Sequence, residues 1–181
     1  MFLQSSNRKI EKVLQLKNRR KTYEFVKKYS GSHFREIERK SNIPYGTLKY
    51  HLNFLVKHKI LIQKKENNNV RYFSANFQPE NIALLSFLRQ IPTRKIILFI
   101  LTNENCNHED IVHFVQLSPS TVSWHLNRLA AAKIVASKRV GRKVEYKIAI
   151  NKEEIIKLLV TYKESFLDSL VNKTVEMWEL R

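Results

Sequence analysis

The sequence predicts a mostly α-helical chain with small β-hairpins, an α+β fold that uses one structural unit twice and ends in a long C-terminal helix. Three observations predict it. Sliding the 181-residue chain against itself by 74 residues aligns two stretches without a gap, with 14 identities in the 57 pairs from 18/92 to 74/148. Within each stretch, three helical patterns of apolar residues are followed by two short strand-like runs around a polar tip. Residues 151–181 contain neither Gly nor Pro and keep apolar residues at helical spacing.

Each copy reads helix, helix, helix, hairpin. The first helix covers 19–29, with Tyr23, Phe25 and Val26 inward; its counterpart covers 93–102 behind Pro92, a residue suited to a first helical turn. Second helices follow at 33–40 and 108–115. Asn42 and Pro44 turn the chain into a third helix at 45–58, and Ser118 and Pro119 form an N-cap and N1 pair opening its counterpart at 119–132. Residues 60–64 and 70–73 read as strands around the tip 66–69, and 134–139 and 144–150 around the tip 140–143. Asn and Gly at these tips accept the positive φ of a hairpin turn. An apolar helix at 81–90, with Ile82, Leu84, Leu85 and Leu88, links the copies. The same slide carries Ile82, Leu84 and Leu85 onto Ile156, Leu158 and Leu159. The chain thus divides into 1–78, 79–150 and 151–181, the last expected as one uninterrupted helix of about 28 residues.

Composition removes several function classes. The three glycines are too scattered for a phosphate-binding Gly-rich loop, and the single Cys106 excludes an internal disulfide or a Cys-rich zinc module. Cys106, His108 and His113 match no closed metal site, so neither a metal nor any other cofactor is expected. No nucleophile, zinc-protease or paired-carboxylate motif is present, which argues against an enzyme. The longest apolar run is residues 96–101, too short to span a bilayer, and the N-terminus turns polar at once. The chain is therefore expected to be soluble and cytoplasmic, with no membrane partner. Its net charge is +17, distributed as +13, +5 and −1 over the three segments, which points the first two toward a polyanion.

The third helix of each copy has the pattern needed to enter a DNA major groove. Leu48, Leu52 and Leu55, and likewise Val122, Leu126 and Leu129, form an inner face. Tyr45, Thr47, Lys49, Tyr50 and Asn53 point outward, matched by Pro119, Thr121, Ser123, Trp124 and Asn127, with Arg128 on the same helix. Lys bonds guanine acceptors, Asn pairs with adenine, and Thr methyls meet thymine. The hairpins carry Lys64, Lys65 and Arg71 in copy one and Lys138, Arg139, Arg142 and Lys143 in copy two, cations suited to phosphates or the minor groove. Arg19, Arg20 and Lys21 are expected to add backbone contacts. His51 and His125 recur beside the core face, as expected of a structural hydrogen bond.

The segments Thr47-Leu48-Lys49-Tyr50-His51-Leu52 and Thr121-Val122-Ser123-Trp124-His125-Leu126 resemble the third-helix pattern of ArsR/MarR-type winged-helix regulators. Two such domains in tandem, with His33-Phe34-Arg35-Glu36-Ile37 ahead of the first recognition helix, resemble a group of archaeal transcriptional regulators with two winged helix-turn-helix domains, over residues 18–150. The resemblance implies sequence-specific binding of double-stranded DNA and control of transcription initiation, usually repression. By position, Lys49, Tyr50, Ser123 and Trp124 would face the groove. Two features depart from the pattern. Lys59 and Lys133 stand where such domains often have Gly, and the metal-binding Cys motif of the metal sensors is absent. The C-terminal stripe of Ile155, Leu159, Tyr162, Phe166, Leu170 and Trp178 is expected to form a homodimer interface. The competing reading is an architectural or protein-interaction protein without sequence readout.

Overall fold

The computed structural model describes residues 11–66, 69–166 and Trp178. The 74-residue sequence repeat is also a structural repeat. The first unit, Met1–Gln78, contains α1 (Lys17–Lys28), β1 (Ser32–His33), α2 (Phe34–Ser41), α3 (Tyr45–Lys57), β2 (Leu61–Glu66) and β3 (Asn69–Ser74). The second, Pro79–Arg181, contains α4 (Pro79–Leu88), α5 (Ile91–Thr102), β4 (Cys106–Asn107), α6 (His108–Val115), α7 (Pro119–Ala131), β5 (Val135–Val140), β6 (Lys143–Ile148), α8 (Lys152–Thr161) and α9 (Lys163–Phe166). The repeated part of each unit is three helices (α1–α3 or α5–α7) and a hairpin, the hairpin extended by a two-residue strand into an antiparallel sheet of order β1-β3-β2 or β4-β6-β5; among the described residues α4, α8 and α9 are additions of the second unit. Ser32 pairs with Tyr72, and Cys106 with Tyr146.

Local chemistry sets the helix ends. His33 caps α2, its Nδ1 accepting from Glu36 N at 3.2 Å. Asn107 and Asp110 form a reciprocal capping box on α6, and Ser118 accepts from Thr121 N at the start of α7. Asn42 (φ 54°) and Gln116 (φ 56°) close α2 and α6 in the left-handed region, opening the turn into each third helix. Helices α3 and α7 end alike. Ile60 N bonds to Leu55 O at 2.9 Å and Lys59 N to Val56 O at 3.0 Å; Ile134 N bonds to Leu129 O at 3.0 Å and Lys133 N to Ala130 O at 2.9 Å. This is a Schellman closure with a lysine at φ 57° in both copies. The buried Ile60 and Ile134 supply its apolar side.

The core of the first unit gathers Val26, Ile37, Leu48, Leu52, Leu55 and Leu61, all essentially buried. In the second, Leu85, Leu88, Ile96, Ile111, Val122, Leu126 and Leu129 play the same part.

The C-terminal segment departs from expectation. No uninterrupted helix forms over 151–181, because α8 stops at Thr161 and Tyr162 leaves helical geometry (φ −113°, ψ 21°). The β-branched Val160 and Thr161 lose side-chain freedom in a helix and are weak residues with which to extend one. Tyr162 also sits one repeat length after Leu88, where α4 ends. Ile155, Leu159, Tyr162 and Phe166, expected to face a second chain, are already buried, with α8 lying against α4 of the same unit. The Arg94 guanidinium lies 5.2 Å from the Phe166 ring. Helices α8 and α9 thus belong to the second unit rather than forming a separate domain. Leu170 lies outside the described residues, and Trp178 is half-buried.

Candidate nucleic-acid interface

Burial of three apolar residues on one side of each third helix decides what the other side shows. In α3, Leu48, Leu52 and Leu55 are fully buried, leaving Tyr45, Lys49, Tyr50 and Asn53 exposed and Thr47 half-buried. In α7, Val122, Leu126 and Leu129 are buried, leaving Trp124 and Asn127 exposed and Thr121 and Ser123 half-buried. Tyr50 and Trp124 occupy equivalent positions, with 57% and 52% of their surface open. Tyr45 packs edge-on against Phe34 at 5.0 Å, and the Lys49 ammonium lies 5.9 Å from its ring.

The second unit adds a polar cleft of about 380 Å³ between α7 and its hairpin, lined by Asn107, His108, Ser123, Arg142, Lys143 and Tyr146. His108 Nε2 lies 2.9 Å from Ser123 Oγ, within hydrogen-bond distance. Sequence reasoning missed His108 as part of this surface. The repeat held the signal, since its counterpart Phe34 also leans on the third helix.

The hairpin cations divide into two groups. Lys65, Lys138, Arg139, Arg142 and Lys143 are exposed, and Lys64 is half-buried. Gly141 turns the second hairpin at φ 62°, a conformation costly for a side-chain-bearing residue. Arg71, expected on a phosphate, instead donates from Nη1 to the Gly31 carbonyl at 2.8 Å, tying the hairpin to the loop before β1. Arg128 is likewise engaged. Its Nη1 donates to Gln90 Oε1 at 3.2 Å, and its guanidinium lies 4.6 Å from the Trp124 ring and 5.3 Å from the Phe87 ring. The first unit has the opposite polarity: Phe54 stands at the position of Arg128, and the Arg19 guanidinium covers its ring at 3.6 Å. Arg19 donates to Val13 O and Arg20 to Leu14 O, so these two arginines brace their own unit; Lys21 is exposed.

His51 and His125 do not make the hydrogen bond expected of them. Each ring is buried with Nδ1 unpartnered, packed edge-on against Tyr50 at 5.3 Å or Trp124 at 4.8 Å. Burial lowers the pKa of both below 6.5, and the neighbouring Arg19 or Arg128 lowers it further. Burial pushes the Cys106 thiol up to about 11, so it stays protonated and unreactive. Among the described residues no three His, Cys, Asp or Glu side chains gather as a metal site, and no helix is long and apolar enough to cross a membrane.

Two family models match in sequence. Residues 16–85 match an N-terminal HTH domain, and residues 92–137 match the arsR family of bacterial regulatory proteins. The chain carries two tandem helix-turn-helix domains. An uncharacterized HTH-type transcriptional regulator of Methanocaldococcus jannaschii is 31% identical to this tandem over 138 residues, 76% of the chain and 35% of the relative. The uncharacterized HTH-type transcriptional regulator YdfF of Bacillus subtilis is 33% identical over 70 residues, 38% of the chain and 31% of the relative. The matched stretches thus cover about a third of the length of each of these relatives. Among solved structures, HlyU from Vibrio cholerae aligns at 22% identity and TM-score 0.42, covering 46% of the chain and 92% of HlyU. The transcriptional repressor PagR of Bacillus anthracis aligns at 31% identity and TM-score 0.40, covering 44% of the chain and 92% of PagR. The arsR family is one of regulatory proteins, and both relatives are HTH-type transcriptional regulators.

Proposed function

We propose that this tandem is a sequence-specific regulator of transcription, each unit placing its third helix in the major groove of double-stranded DNA and its basic hairpin on the backbone or in the minor groove. One observation carries the reading. The same surface, an exposed polar and aromatic helix face over buried aliphatic residues beside a cationic hairpin, occurs twice at a fixed spacing in a chain of net charge +17. Lys49, Tyr50 and Asn53 read bases in the first unit; Thr121, Ser123, Trp124 and Asn127 read them in the second. Lys64, Lys65, Lys138, Arg139, Arg142 and Lys143 neutralise phosphates, with His108 holding Ser123 in place.

The test is a mobility-shift titration against a duplex selected by the protein from a random pool, at several salt concentrations. Lys64→Ala with Lys65→Ala flattens the slope of log affinity against log salt by nearly two units. Lys49→Ala lowers discrimination at one base position by about 1–3 kcal/mol. Equal affinity for the selected duplex and a shuffled one would refute sequence readout and leave the architectural reading.

A further inference from the structure

The two units share a scaffold, yet one equivalent face of each carries opposite chemistry. In the second unit an open groove of about 700 Å³ is lined by Phe99, Asn103, Glu104, Cys106, Glu109 and Phe114. Its floor is the stacked pair Phe99 and Phe114, ring centroids 4.5 Å apart, and Phe114 is exposed. Residues 103–110 hold three carboxylates and no Lys or Arg, in a chain where cations outnumber acids 33 to 16; Glu104 is ion-paired with Lys152, Asp110 accepts from Asn107 N, and Glu109 is exposed.

One repeat length earlier, the first unit fills the same place with its own side chains. Tyr29 stands at the position of Asn103 and packs on Phe25 at 4.7 Å. The ammonium groups of Lys28 and Lys40 lie 5.4 and 5.3 Å from the Tyr29 ring. Arg35 and Arg39 are exposed where the second unit has Glu109 and His113. The first unit thus presents the exposed Arg35 and Arg39 beside a covered ring, with Lys40 paired to Glu36 at 3.0 Å, and the second presents the exposed Glu109, with Glu104 paired to Lys152, beside an open aromatic stack. Ammonium over an aromatic ring is a favourable contact that strengthens as water leaves.

We propose that this groove docks the cationic face of the first unit, α2 with the end of α1, from a second copy of the chain. The partner is a second copy because its first unit, at net +13, offers the complementary surface. At physiological salt the repulsion between two basic molecules is screened beyond about 8 Å, while close pairs are not, so local complementarity governs docking. The contact is heterologous: unit 1 of one copy meets unit 2 of the next, and repetition gives a ring or an open row.

The experiment is sedimentation of the full chain without DNA across the micromolar range, at low and high salt, so its outcome is independent of the reading proposed for the DNA face. The wild-type chain associates, and more weakly at high salt. Glu109→Arg and Arg39→Glu, both at exposed positions, each weaken association about tenfold or more by placing like charges together. Mixing the two variant proteins restores it, because the Arg39 face of the Glu109→Arg protein meets an intact Glu109 on the other, and the second contact is a reversed pair. Unchanged thermal melts show that both variants fold. A wild-type chain that stays monomeric throughout overturns the proposal, as does a mixture that associates no better than either variant alone.

Discussion

The lysines that close the recognition helices offer a test of how backbone strain is held in this fold. Lys59 and Lys133 both sit at φ 57°, exposed, with their N–H groups fixed to Val56 O and Ala130 O. A side-chain-bearing residue in this region costs about 1–2 kcal/mol. Gly relieves that strain but gives back about 0.4–1 kcal/mol through the greater freedom of its unfolded chain. The net expectation for Lys59→Gly or Lys133→Gly is a gain of about 0.5–1 kcal/mol per unit, a melting shift of about 3–6 °C for domains of this size. Calorimetry on the two single variants measures it, and Lys59→Ala and Lys133→Ala are the controls. They remove the same charge from a crowded cationic chain while keeping the strained φ. If the Ala variants gain as much as the Gly variants, charge relief is the cause, and the strain reasoning is refuted.

Two further outcomes follow from the buried groups. Because His51 and His125 have folded-state pKa values below 6.5, the unfolded chain binds more protons as pH falls below 6.5. Stability is therefore level above that pH and declines below it, as far down as the lowered folded values. His51→Gln removes this slope from the melting of the first unit only; a slope that persists there refutes the assignment. Arg71→Met, which breaks the bond to Gly31, lowers stability by about 1–2 kcal/mol in urea unfolding, the half-buried charge discounted for solvent. It leaves the salt slope of DNA binding unchanged, whereas a phosphate-binding Arg71 would flatten that slope.

Most of the fold was legible because the repeat needs no insertion: a helix seen twice at one spacing is hard to misplace. The sequence reading put the third helices at 45–58 and 119–132, and the structure has Tyr45–Lys57 and Pro119–Ala131. The strands β1 and β4 were not legible, since two residues carry no periodicity. The roles of Arg71 and Arg128 were not legible either. A cation on a hairpin or groove helix looks alike whether it reaches outward or turns back to Gly31 or Gln90, and only the tertiary contact separates the two. The C-terminal stripe shows the same limit. Periodicity identified Ile155 and Leu159 as facing something apolar, but not that α4 of their own unit already covers them. The break at Tyr162 was within reach, since the slide that matched Ile82 to Ile156 also sets Leu88 on Tyr162.

The inverted pairing of Arg19 with Phe54, and of Phe87 with Arg128, bears on how such a chain can be recombined. Changing Phe54 to Arg alone would set one guanidinium on another, and changing Arg128 to Phe alone would strip Gln90 of its donor. Neither residue can cross to the other copy by itself; each travels only with the helical segment that complements it. A crossover placed between the first and third helices of a unit would combine two arginines or two aromatics in one joint. A crossover at Gln78/Pro79 keeps both joints whole. The natural unit of exchange is therefore the whole winged helix together with the helix that leads into it.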